Sequence, residues 1–312
     1  MKLTKMTTAI AAATLVATTG ALAADINVGG RVVIDYTDSS DDTETLDVTD
    51  ARIDISASIS DDWSISAGFS EGSDSVDDMT NLNATYSGFG DMANITIGQQ
   101  EGVNGLDAAS ETTDSTFMTE DRSDYANGIV ISGSNGAVNY AVGLFDTAGA
   151  ELDWDMQARV SYAPTNEAGN VLHFGLNLQD NDDDSELLGY EAAMVSGATS
   201  VLVEYTETEN GAAETEALDI QVAYDLNGNS RPYSGGAFGA MPAGSKTVAL
   251  RYQEGEADDG LGGVGSVTES DSITLALNCQ KTDNVRVSVE YQDGEVAGAD
   301  FDSLNVRTQL TF

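Results

Sequence analysis

The chain has 312 residues, with 12 Lys and Arg against 53 Asp and Glu and a net charge of −41. This acidity excludes electrostatic binding of nucleic acid or of an anionic membrane surface, both of which need clustered basic residues. One cysteine, Cys279, excludes an internal disulfide and a zinc site of the Cys-x-x-Cys kind.

At the N-terminus, Lys2 and Lys5 precede an apolar stretch from Ala9 to Val16 and then the small-residue end Gly20-Ala21-Leu22-Ala23-Ala24-Asp25. This is the order of a secretory signal peptide, expected over residues 1–23 with cleavage after Ala23. Cleavage removes both lysines and no acid, leaving a mature chain of 24–312 with a net charge of −43. No later segment approaches the 18 or more apolar residues of a membrane helix, which leaves a secreted soluble protein or an outer-membrane barrel.

The mature chain then alternates apolar and polar residues, the period of a strand with two unlike faces. In chain order the predicted strands are 26–36, 51–60, 63–70, 81–87, 93–99, 126–133, 138–144, 152–162, 172–179, 187–194, 198–207, 218–225, 248–253, 273–279, 285–292 and 304–312. The clearest has Leu152, Trp154, Met156, Ala158, Val160 and Tyr162 on one face and Asp153, Asp155, Gln157, Arg159 and Ser161 on the other. Short connections at 60–62, 134–136 and 281–284 mostly alternate with long acidic ones at 37–50, 71–80, 100–125, 180–186 and 254–270, and 226–246 is a long exception on the short side.

A soluble β-sandwich would also alternate, so periodicity alone leaves both architectures open. The aromatic residues favour the membrane. Trp154 and Tyr162 share a face eight residues apart, roughly 20 Å along the normal of a tilted strand, the spacing of two girdles around an apolar band. The expected fold is therefore all-β, a transmembrane antiparallel barrel of about 16 strands forming a single domain.

In such a barrel the polar face lines a water-filled lumen. Arg31, Arg52, Arg159, Arg251, Arg286 and Arg307 all fall on that face, and five of them, Arg159 excepted, form one continuous wall when the barrel closes. The connection 100–125 carries Glu101, Asp107, Glu111, Asp114, Glu120, Asp121 and Asp124. Folded inward, it is the expected constriction, setting carboxylates across the lumen from the arginines. The alternative is that the arginines balance neighbouring acids such as Asp54, Asp153 and Glu290, with the loop lying over the mouth. Two other sites are weaker: His173 for a Ser-His-Asp arrangement, which no motif completes, and Asp180–Glu186 with Glu191 for calcium, which lacks the glycine of a calcium loop.

Several stretches resemble the phosphate-selective porins O and P of Gram-negative outer membranes. They are Ser230-Arg231-Pro232-Tyr233 with Val248-Ala249-Leu250-Arg251-Tyr252, Ile97-Gly98-Gln99 leading to Phe117-Met118-Thr119-Glu120-Asp121-Arg122, Val171-Leu172-His173-Phe174-Gly175, and Asn278-Cys279-Gln280 through Asn284-Val285-Arg286. The resemblance implies a homotrimeric sixteen-stranded channel in the outer membrane, with an inward third loop and with 226–246 as a turn folded into the pore. Lys246 and Lys281 are the only mature lysines, so cation-preferring or weakly selective passage of small hydrophilic solutes is expected, without a cofactor or enzymatic activity. The alternatives are a phosphate or oxyanion channel and a non-conducting surface barrel. Expected partners are outer-membrane lipid and lipopolysaccharide, and the barrel-assembly machinery, for which the terminal Phe312 is the expected signal.

Overall fold

Sixteen strands hydrogen-bond in a closed ring of antiparallel neighbours. The computed structural model describes residues 25–40, 43–71, 78–103, 126–146, 154–166, 169–181, 185–211, 213–234, 237–258 and 267–312. In chain order the strands are β1 (Ile26–Ser39), β2 (Thr43–Ser58), β3 (Trp63–Glu71), β4 (Asp78–Tyr86), β5 (Asn94–Gln100), β6 (Ala126–Asn135), β7 (Val138–Asp146), β8 (Trp154–Tyr162) and β9 (Val171–Asp180). They continue with β10 (Ser185–Ser196), β11 (Thr199–Asn210), β12 (Ala213–Asp225), the two-residue pair β13 (Tyr233–Ser234) and β14 (Ala237–Phe238), then β15 (Lys246–Asp258), β16 (Val267–Thr282), β17 (Val285–Val296) and β18 (Ala299–Thr311). All except β13 and β14 belong to the barrel, in which β15 follows β12 and β18 closes on β1.

Closure is a backbone event with one side-chain requirement. Gly30 N–H donates to Phe312 O at 3.0 Å, and Phe312 N–H returns a bond to Gly30 O at 3.1 Å. A Cβ on residue 30 would fall 2.4 Å from the Phe312 ring and 2.6 Å from the Arg52 carbonyl oxygen, so glycine makes room for the terminal ring at the seam.

Burial is inverted relative to a soluble protein. Leu46, Leu82, Leu250, Ile273 and Leu275 are all more than half exposed on the outer face. His173, Asp219, Gln253, Ser272 and Glu290 are each no more than 3 % exposed. An apolar surface this extensive does not face water in a monomeric soluble protein; on a closed sheet it faces lipid, and the polar residues line the interior. The sandwich alternative is thereby set aside. Among the described residues no helix is long and apolar enough to cross a membrane, and the strands supply the crossing instead.

Three predicted loops are shorter than the sequence suggested. Residues 37–50 belong mostly to β1 and β2, which pair as far as Ser39 and Thr43, with a register shift between Val33 and Ile34. Strands β15 and β16 extend to Asp258 and from Val267, so much of 254–270 is ladder, and β9 and β10 leave only 181–184 between them. In each case acidic side chains replace the outward apolar residues while the backbone pairing continues past the hydrocarbon layer.

Candidate functional site

The lumen wall is built by parity: along each strand every second residue points inward. Strands β2, β1, β18, β17, β16 and β15 are consecutive in the ring, and they carry Arg52, Arg31, Arg307, Arg286 and Arg251, with β16 supplying Asn278 between Arg286 and Arg251. The five predicted wall residues are thus on contiguous strands, and Arg159 stands apart on β8.

Each of the six is engaged. Arg31 pairs with Asp50. Arg52 Nε meets Asp54 Oδ1 at 2.7 Å, and its Nη1 lies 3.9 Å from Glu101 Oε1. Arg307 forks onto both oxygens of Asp35 at 2.7 and 2.8 Å, while Thr49 donates to the same carboxylate at 2.7 Å. Arg251 Nε donates to Asp219 Oδ2 at 2.8 Å. Arg286 reaches Asn278 Oδ1 at 3.0 Å through Nη2. Arg159 forks onto Glu191 at 2.8 and 2.9 Å. Bidentate contacts of this kind fix the guanidinium plane and bring charge compensation with them.

Glu191 gathers a second group. His173 Nε2 lies 2.9 Å from Glu191 Oε2, Asn177 Nδ2 donates to Oε1 at 2.7 Å, and the Tyr233 hydroxyl contacts His173 Nδ1. Burial pushes the Tyr233 phenol up to about 12; the Arg159 guanidinium opposes this shift and Glu191 adds to it. An ionised Glu191 only accepts, so Nε2–H donates to the carboxylate, and in the neutral imidazole this leaves Nδ1 to accept from the Tyr233 hydroxyl. Glu191 thus belongs to an interior hydrogen-bonded cluster on β10 rather than to a calcium loop, and His173 is flanked by a phenol and a carboxylate. Among the described residues no group of three or more His, Cys, Asp and Glu is arranged to hold a metal ion.

Tyr233 lies on the connection 226–245, which folds into the barrel. It packs against Val171, Ala193, Val195 and Leu202 on the inward faces of β9, β10 and β11. At its base Asp225 Oδ1 accepts the N–H groups of Asn227 and Asn229, both at 2.9 Å, and Gly244 N–H donates to Gln280 O at 2.7 Å. The turn therefore starts beside β12 and β16 and reaches β9.

At the opposite end of β5 the chain also turns inward. Glu101 approaches Arg52 on β2, and two residues later Val103 N–H donates to Gln157 Oε1 on β8 at 2.8 Å. A Cβ at Gly102 would sit 2.5 Å from that oxygen, so glycine permits the approach. Asp107, Glu111, Asp114, Glu120, Asp121 and Asp124 lie outside the described residues, as do Asp153 and the predicted signal peptide 1–23.

The inside-out barrel, the seam at the terminal aromatic and a turn entering the pore are accompanied by a sequence match: the profile described as phosphate-selective porin O and P covers residues 26–189 and 177–312. The chain belongs to this porin family. The porin also shares its fold with solved outer-membrane barrels. The trimer form of in-vitro folded OmpT of Vibrio cholerae aligns with a TM-score of 0.64 at 13 % identity over 93 % of this chain and 100 % of that one. OmpF of Salmonella typhi, solved with daunomycin, gives 0.65 at 13 % over 92 % and 97 %. An anion-selective porin from Comamonas acidovorans gives 0.62 at 12 % over 93 % and 100 %. Comparison with curated proteins finds no match. The porin forms a channel in the Gram-negative outer membrane, with the short turns on the periplasmic side.

Sequence reading placed the arginines but not their partners Asp35, Asp50, Asp219 and Glu191, nor Asn177, Gln157 and Tyr233. Parity was the available signal: each of these acids falls on the inward face of its strand.

Proposed function

We propose that this porin is a cation-preferring or weakly selective channel for passive diffusion of small hydrophilic solutes, and not an enzyme. The observation that carries this reading is the compensation of the arginine wall: Arg31, Arg52, Arg251 and Arg307 each bond a carboxylate on an adjacent position. A paired arginine contributes a dipole rather than a free positive charge to a passing ion. The unpaired field then comes from the acid excess of the mature chain, which favours cations at the mouths. The course of residues 101–103 across the interior supports a third loop, 100–125, that enters the lumen and narrows it, with Glu101 already beside Arg52.

Export by the 1–23 signal peptide, insertion by the barrel-assembly machinery through Phe312, contact with lipopolysaccharide and a homotrimeric assembly complete the proposal. The last is supported by the trimeric form of the Vibrio neighbour. The family match favours a second reading, an oxyanion channel, in which the arginine row outweighs its partners.

Planar-bilayer conductance of detergent-extracted protein across a salt gradient separates these readings. Openings in groups of three with a cation-preferring reversal potential are expected. Anion preference would move the assignment to the oxyanion channel, and silence from correctly folded protein would move it to a surface barrel without conductance.

A further inference from the structure

The connection 226–245 is long for a periplasmic turn, and it is held both at its base and through Tyr233. The base is held by the Asp225 cap and by Gly244 against Gln280. The far end is held by Tyr233, whose ring stands 5.7 Å from that of His173 at 63° and whose hydroxyl bonds Nδ1. His173 is fully buried, and its tautomer is fixed from behind by Glu191, itself clamped by Arg159 and Asn177. The chain Arg159–Glu191–His173–Tyr233 thus runs from the wall of β8 to the tip of the turn. It presents a pre-oriented acceptor that costs little ordering entropy when the phenol arrives.

We propose that this chain is a latch that holds the periplasmic turn across the lumen, so that Tyr233 and His173 are positioning residues setting the pore's width at the periplasmic end. This rests on the channel reading and goes beyond it by assigning a size-determining contact. The contact combines one polar bond with a small apolar patch, Val171, Ala193, Val195 and Leu202. Losing the bond leaves the turn tethered at its base but able to swing from the wall. Removing the hydroxyl also strands a buried imidazole nitrogen that had a partner, so the bound position loses more than an exposed bond would contribute. The time spent with the turn withdrawn should rise roughly tenfold.

The test measures single-channel conductance and exclusion of polyethylene glycols of graded size, added to each side of a bilayer, for wild type, Tyr233→Phe, His173→Ala and His173→Gln. The first two substitutions should raise the mean conductance and shift the exclusion limit upward for polymers added at the periplasmic side, with the extracellular limit unchanged. His173→Gln retains an acceptor for the phenol and a donor for Glu191, and should return both readouts toward wild type. Tyr233→Phe keeps the ring and its packing, so it decides the matter if His173→Ala fails to fold. An unchanged periplasmic limit in a folded, conducting Tyr233→Phe channel overturns the latch while leaving the porin reading intact. A wild type that does not conduct overturns the porin reading instead.

Discussion

Asp219 and Asp35 are nearly inaccessible, at 1 and 5 % exposure, and each depends on one arginine for compensation. Replacing Arg251 or Arg307 by Ala leaves a buried carboxylate without its counter-charge, a loss of about 3–5 kcal/mol for a pair broken on one side. The same change makes the lumen more negative. An additional unit charge near the ion path is worth about 1 kcal/mol at contact distance in water, or roughly a fivefold gain for a cation and an equal loss for an anion. The double variant Arg251→Ala with Arg307→Ala should therefore unfold at lower denaturant and show a reversal potential displaced toward the cation limit. The neutral pair Arg251→Gln with Asp219→Asn removes both charges together and should leave the reversal potential close to wild type. If the double alanine variant conducts with unaltered selectivity, these arginines do not sense the permeating ion.

Strand β18 shows how an element depends on its last residue. Phe312 provides two backbone bonds to Gly30 and a ring for which that glycine makes room, so it closes the sheet on the strand that begins it. Deleting Phe312 removes the seam's terminal bonds, worth about 0.5–1.5 kcal/mol each, and takes away the aromatic residue proposed as the assembly signal. Heat-modifiable, membrane-inserted barrel should fall several-fold in yield, whereas Phe312→Tyr, which keeps ring and backbone, should insert normally. Normal insertion of the deletion would assign closure to the rest of the ladder. All sixteen spanning strands were legible because lipid on one side and water on the other impose strict alternation. Their distal ends were not. Asp38, Glu44, Glu254, Glu256, Glu269 and Asp271 stand on the outward-parity positions beyond the apolar band, and there the pairing persists after the hydrophobic signal has ended. The lumen site was half legible for a related reason: parity places Arg159, Glu191 and His173 inside, but which of them touch depends on stagger between strands far apart in sequence. The Tyr233 contact depends on an irregular turn that no period describes.

At the scale of the whole molecule, these extended strand ends concentrate the acidity in registered rows. Glu207 faces Glu216, Glu216 faces Glu256, and Glu256 faces Glu269, four carboxylates side by side across β11, β12, β15 and β16. Glu254, Asp271, Glu295 and Asp300 form a second row across β15 to β18. Directly opposed like charges destabilise a sheet by about 0.2–1 kcal/mol per pair, and two rows of this length make the barrel's outer rim electrostatically strained. Because Glu216, Glu254, Glu256, Glu269, Asp271, Glu295 and Asp300 are exposed, the repulsion is open to screening. The Debye length falls from about 30 Å at 0.01 M to about 8 Å at 0.15 M and about 3 Å at 1 M. Thermal unfolding of the detergent-solubilised porin should therefore move to higher temperature as sodium chloride is raised through this range. Glu216→Gln with Glu256→Gln, which interrupts the first row at its two central members, should raise stability at low salt and flatten the dependence. Selectivity should change little, because these side chains point away from the lumen. A salt response equal in wild type and variant would locate the repulsion elsewhere in the chain, and a fall in stability with salt would mean that the attractive pairs inside the barrel outweigh the repulsive rows on its rim.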